Sequence, residues 1–198
     1  MPLPVRRRHS QRRRRSLAKR LSGALCAVAL LGAAAFAEVQ PTFDAARSDA
    51  RQQKAQRRFH DAMDARLARF MGDAAARKTL LTRLYREARL AGLPPSLVLA
   101  LIEVESAFRP EAVSSAGAVG LMQIMPFWIE ELGLAADDLK APERNLRYGC
   151  TILAYYLARE NGDFTRALAR YNGSLSHTRY PERVLDTWQG RWRLTPPP

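Results

Sequence analysis

Two glutamates two residues apart, Glu103 and Glu105, close an apolar run that begins at Leu97. Set on a helix at about 100° per residue, Leu97, Val98, Leu101, Ile102, Val104 and Phe108 share one broad side. Glu105 falls within that side, at helical spacing from Val98, Leu101 and Ile102, whereas Glu103 points into the polar sector. A carboxyl group among apolar side chains resists ionisation, so its pKa rises and it holds a proton near neutral pH. That is what a general acid needs in order to protonate a poor leaving group. The same position also suits a core-edge glutamate hydrogen-bonded to backbone or paired with an arginine. The helix alone does not separate the two.

The segment after the helix adds to the pattern. From Glu105 to Pro126 the chain reads E-S-A-F-R-P-E-A-V-S-S-A-G-A-V-G-L-M-Q-I-M-P. Arg109-Pro110 is expected to end the helix, since proline cannot continue it. Gly117 and Gly120 read as positions that need open backbone angles, either in a loop that approaches a ligand or in an ordinary tight turn. Leu121–Met125 carries no helical period and is expected to run extended along a cleft wall.

This stretch closely resembles the signature of the lytic transglycosylases of the soluble-lytic-transglycosylase (SLT) type, whose catalytic domain is similar to goose-type lysozyme. The family glutamate and serine are matched by Glu105 and Ser106. The Ser-x-x-Gly-x-x-Gly loop is matched by Ser114 to Gly120, and Gly-Leu-Met-Gln-x-Met-Pro by Gly120 to Pro126. The resemblance runs from about Leu84 to Trp188. It implies an all-α, lysozyme-like domain with a catalytic cleft, acting on peptidoglycan glycan strands without a cofactor or metal. It further implies that Glu105 is the sole acid and then base, with the muramic 6-hydroxyl as nucleophile and a 1,6-anhydro product. A second carboxylate, which most glycosidases use as nucleophile or to activate water, is then not required. Glu130, Glu131, Asp137 and Asp138 read as solvated charges.

By the same resemblance, Ser114 contacts the glutamate or the substrate, Gln123 hydrogen-bonds the sugar, Met125 forms a wall of the sugar subsite, and Tyr171 lies near the carboxyl. Tyr180, in the closing Tyr-x-x-x-Val pattern, is a further residue expected to approach the cleft. Taken singly, Met125 and Tyr171 also fit as core residues, and Ser106 and Ser114 as hydroxyls satisfying backbone at a helix end or turn. One departure stands out: Tyr171-Asn172 continues Gly173-Ser174-Leu175-Ser176, where the common family version has Ala-Gly-Pro-Gly. A lysozyme-like hydrolase and a non-catalytic peptidoglycan-binding or assembly protein of the same fold are the alternatives.

The elements that would position these residues are helices. Phe59, Met63, Leu67, Phe70 and Met71 form one apolar stripe; Leu80, Leu81, Leu84, Tyr85 and Ala88 form a second, capped by Asp73 and stopped at Gly92. Pro94-Pro95 opens the Glu105 helix. Phe127–Leu132 reads as a short helix ending at Gly133. Asn145 is expected to cap a long helix with Leu146, Gly149, Cys150, Leu153 and Leu157 inward, Gly149 there permitting close helix packing. Asp163 caps Phe164–Tyr171, and Pro181 opens a last helix with Val184, Leu185 and Trp188 on one side.

The formal net charge of +13 suggests a nucleic-acid partner, but the charge is concentrated at one end. Residues 1–37 hold nine of the 32 basic residues and none of the 19 acidic ones, leaving a balance of only +4 on the rest. A nucleic-acid binder keeps its positive charge on the folded part, so that class is set aside. The basic and then apolar residues 1–37, with Ala35-Phe36-Ala37 as a small-x-small site, read as a signal peptide. The expectation is an exported, periplasmic protein, with a membrane attachment only if that leader is retained. Cell-envelope machinery is the expected class of further partner. The domain organisation expected is residues 1–37 as signal peptide, 38–73 as linker and helical segment, 74–190 as the SLT-type domain and 191–198 as a disordered tail. Cleavage would leave Cys150 alone, which reads as a small hydrophobe, and His9, His60 and His177 have no metal-ligand spacing.

Overall fold

The computed structural model describes residues 45–132 and 138–194. The leader over 1–37, Gly133, Asp137 and residues 195–198 lie outside them. Two units divide the chain: Met1–Lys54, and Ala55–Pro198. In the first, residues 45–54 are helical and exposed. The second begins within the helix α1, residues 45–67, and carries everything that concerns the site.

The expected all-α class holds among the described residues. After α1 come α2 (Ala74–Leu90), α3 (Pro95–Ser106), α4 (Phe127–Glu131), α5 (Pro142–Arg159), α6 (Phe164–Asn172) and α7 (Arg179–Thr187), which runs on into a π-helical turn, Trp188–Trp192. The described β structure is two isolated bridges, Val113 to Val119 and Val119 to Ile124.

Local chemistry sets the helix ends. The carboxylate of Asp73 accepts from the Ala75 amide at 2.8 Å, and that of Asp163 from Arg166 at 3.0 Å. Pro95 and Pro142 occupy first-turn positions, where a missing amide costs nothing. The helix α3 is the centre: all six residues from Leu97 to Ile102 are buried, a helix apolar on every side. It packs against α2 on one flank and against α7 and the π-helical turn on the other. Contacts of α2 with α5, α5 with α6 and α6 with α7 close a ring of helices that returns to α3. Phe59, Met63 and Leu67 of α1 join the same core, so this core begins well before residue 74. Each such side chain contributes roughly 1.5–3 kcal/mol through burial.

Several expectations are corrected here. The helix α3 ends at Ser106, three residues before Arg109, because Ala107 and Phe108 take left-handed backbone angles (φ 50° and 61°). Phe108 is buried, but through this turn and not through the helical period. Glu103 does not face solvent: its carboxylate pairs with Arg191 and accepts from the Trp192 indole at 2.7 Å, and its side chain is 15% exposed. Trp192 is fully buried against Phe70 and Phe108, so the tail drawn from residue 191 starts too early. Leu121–Met125 does not run extended; it is a tight turn closed by paired hydrogen bonds between Val119 and Ile124, both at 2.9 Å. Asn145 is no cap: it lies inside α5, fully buried. Pro181 sits in the first turn of α7, two residues past its start. Gly149 does allow a close approach, but by Met122 of the loop, which a Cβ at this position would strike.

Candidate active site

Glu105 stands in the last turn of α3, where the buried helix meets the glycine loop. Ser106, the next residue, fixes the two to each other. Its hydroxyl lies 2.8 Å from the Leu121 carbonyl and 3.2 Å from the Ile102 carbonyl, while the Arg109 side chain donates to the Ser106 carbonyl at 3.0 Å. The reading of Ser106 as a hydroxyl satisfying backbone at a helix end is the one the structure bears out.

The loop is a stack of small turns. The Ser114 hydroxyl accepts from the Ala118 amide at 3.0 Å, and Gly120 donates to the Ala112 carbonyl at 2.8 Å. Gln123 has a left-handed backbone (φ 50°), and its side-chain amide donates to the Gly120 and Ala112 carbonyls at 2.9 and 3.2 Å. Asn145 clamps the assembly from α5: its side-chain oxygen accepts from the Met122 amide at 2.7 Å, and its nitrogen donates to the Val119 and Leu139 carbonyls, both at 2.8 Å. A Cβ on Gly120 (φ 81°) would collide with Asn145 and with the Leu139 carbonyl, so glycine is required both for its angle and for its size.

The helices α6 and α7 close the site from the other side. The Tyr180 hydroxyl donates to Oε1 of Glu105. The Tyr171 hydroxyl, buried close enough to Glu105 to feel its charge, donates to the Met122 carbonyl at 2.8 Å. Arg183, one turn beyond Tyr180, donates to the Val104 carbonyl at 2.7 Å and also bears electrostatically on Glu105.

Burial raises the pKa of Glu105 above the ordinary carboxylate value; the Tyr180 hydrogen bond and the Arg183 charge oppose the shift without reversing it. Tyr180 and Tyr171 are both pushed well above their ordinary values, chiefly by burial and then by the Glu105 charge, so both stay protonated as donors. Cys150 is buried and its thiol is pushed up to about 12, which makes it an inert packing group.

Of the residues expected from sequence, Glu105, Tyr171 and Tyr180 are therefore brought together, with Gln123 on the adjoining loop. Ser114 spends its hydroxyl within its own turn and not on Glu105. Met125 is half-buried where the loop enters α4 and accepts from Trp128 through its carbonyl at 3.1 Å. Glu130, Glu131 and Asp138 are exposed, as read. Arg183 was not anticipated, and Asn145 was read as a helix cap and not as the clamp of the loop. For Asn145 a signal existed: an amide between inward-facing residues of α5 must find buried partners.

Residues 85–185 match the family described as the transglycosylase SLT domain. The chain belongs to this family. Among curated relatives, it is 34% identical over 100 residues to a transglycosylase of Enterobacteria phage PRD1, covering 47% of this chain and 37% of that protein. It is 39% identical over 82 residues to the endo-type membrane-bound lytic murein transglycosylase A of Klebsiella pneumoniae, covering 36% of this chain and 38% of that one. Among solved structures, it is similar to the 70 kDa soluble lytic transglycosylase of Escherichia coli, at 27% identity and a TM-score of 0.44, over 56% of this chain and 19% of that one. The chain thus spans under two-fifths of the length of each.

Proposed function

We propose that this SLT-family chain is a murein lytic transglycosylase. It cleaves the β-1,4 bond between N-acetylmuramic acid and N-acetylglucosamine and leaves 1,6-anhydromuramic ends. The observation that carries this is the buried carboxyl of Glu105, raised in pKa and hydrogen-bonded by Tyr180 at the mouth of a glycine loop.

In the first step the Glu105 proton passes to the glycosidic oxygen. The bond from C1 to that oxygen breaks, and N-acetylglucosamine leaves as its 4-hydroxyl. The Tyr180 hydroxyl stabilises the carboxylate that remains, and the neighbouring 2-acetamido group supports the positive charge at C1. In the second step Glu105 accepts the proton of the muramic 6-hydroxyl as that oxygen bonds to C1, and the acid is regenerated. One carboxyl suffices because it acts in both directions. Gln123 and Met125 flank the sugar, and Ser114 shapes the loop that receives it. An exported protein, with residues 1–37 as its leader, would meet this substrate in the envelope.

The test is mass spectrometry of muropeptides released from purified sacculi by the full chain. Products one water lighter than lysozyme products are expected, and Glu105→Gln should release none while remaining folded. Hydrated reducing ends would make the chain a hydrolase. No release by the folded wild type would leave a non-catalytic binding protein, and turnover by Glu105→Gln would remove Glu105 from its role.

A further inference from the structure

Immediately beyond the loop, α4 and the C-terminal half of α5 enclose a groove of about 550 Å³. Its size lies within the roughly 300–1,000 Å³ of small-ligand sites. It is lined by Trp128, Thr151, Tyr155, Tyr156, Arg159 and Arg170. The rings form a continuous series: Phe127 stacks on Trp128 at 5.4 Å, Trp128 meets Tyr156 edge-on at 6.0 Å, and Tyr156 contacts Tyr155 at 5.3 Å. Phe127 and Tyr155 each remain about half exposed, at 52% and 51%. Exposed aromatic surface gathered in one place, unlike scattered single side chains, marks a binding surface.

The polar groups indicate what that is. The Arg159 guanidinium is hydrogen-bonded to the Tyr155 hydroxyl at 3.2 Å, so ring and cation are held as one unit. Arg170 is fixed from behind by Glu160, a buried carboxylate it shares with Arg166. Among the described residues, the lining carries the carboxylate of Glu131 beside Arg159 and Arg170, and Arg170 is already ion-paired with Glu160. Aromatic faces suit the C–H faces of pyranose rings; hydroxyls and guanidinium groups suit sugar hydroxyls and amides; the exposed guanidinium of Arg159 suits a carboxylate. A purely apolar protein helix would satisfy the rings and leave Arg159 desolvated.

We infer that this groove is a second binding site for an N-acetylhexosamine strand bearing carboxylate-containing substituents. The inference deepens the function proposed above and rests on it for the choice of strand. The groove adjoins the loop in sequence: Trp128 follows Met125 by three residues, and its amide donates to the Met125 carbonyl at 3.1 Å. The groove would hold the polymer between successive cuts.

The test uses the full chain carrying Glu105→Gln, so that turnover cannot intrude, and tracks the Trp128 indole N–H by NMR. The probes are a tetramer of N-acetylglucosamine and peptide-bearing glycan fragments. A saturable shift at Trp128 is expected with both. Tyr155→Ala should weaken binding of both about tenfold, the size of one good contact. Arg159→Gln should weaken only the peptide-bearing strand. Leu90→Ala, an exposed apolar residue of α2, should weaken neither. An unmoved Trp128 signal, or unchanged affinity in a folded Tyr155→Ala protein, overturns the inference. Because the readout is binding, it fails separately from the transglycosylase reading, which fails by product mass.

Discussion

Tyr180→Phe isolates the hydrogen bond that Glu105 accepts, on which its proposed role as acid depends. The ring stays, and with it the packing of α7 against the core; only the hydroxyl that donates to Glu105 is removed. A hydrogen bond to a charged group stabilises it by about 1.5–3 kcal/mol, or roughly 10- to 100-fold in the ionisation equilibrium. This donor favours the carboxylate over the acid, so its loss raises the proton affinity of Glu105 further above the ordinary value. In the proposed first step Glu105 must be protonated, so the alkaline fall of the rate is expected to move to higher pH. The carboxylate formed in that step meanwhile loses its donor, and the maximal rate falls by the same order, roughly 10- to 100-fold. The limb cannot be assigned to Tyr180 itself, whose own ionisation lies far above it. The assay is kcat/KM across pH on purified sacculi, with anhydro ends counted by mass spectrometry and a thermal melt to verify folding. An alkaline limb that stays in place or moves to lower pH, or an unchanged maximal rate, would refute the reasoning.

Three further outcomes are expected. Because the folded state raises the pKa of Glu105 above its ordinary 4.5, the folded protein binds the proton more tightly than the unfolded chain. This contribution is fully present below the unfolded value and is lost as pH rises through the folded one. Glu105→Gln should therefore melt progressively higher than wild type as pH rises through that window, and a gap that shrinks with pH would contradict the burial argument. Asn145→Ala strands the Met122 amide and the Leu139 carbonyl, whereas the Val119 carbonyl keeps Ile124; urea unfolding should show a loss of about 2–4 kcal/mol together with lost activity. Trp192→Ala empties a fully buried site and removes a donor to Glu103, and should cost about 3–5 kcal/mol by the same measurement; a value near zero would return this residue to a disordered tail.

The contrast between Glu105 and Glu103 shows how far periodicity reaches. A helical wheel reports which way a side chain leaves its own helix, and for Glu105 that direction was the right one, since it leaves α3 on the side of the buried Val98, Leu101 and Ile102. For Glu103 it was misleading. The polar sector of an isolated α3 is not a solvent face once Arg191 and Trp192, nearly ninety residues on, fold over it. Asn145 failed for the same reason: capping is decided within one turn, but its three partners come from the loop and from Leu139. The helices with strong stripes and local caps, α2 and α6, were legible to within a residue or two because each ending is settled by neighbours in sequence. The turn at Leu121–Met125 was not, since it is shaped by Gly120 pressed against Asn145 and by Met122 pressed against Gly149. The chemistry at Glu105 therefore rests on two kinds of information. The buried position of the proposed acid is written locally in α3. What holds its proton affinity in a useful range, Tyr180 and Arg183 on α7, reaches it only when the ring of helices closes.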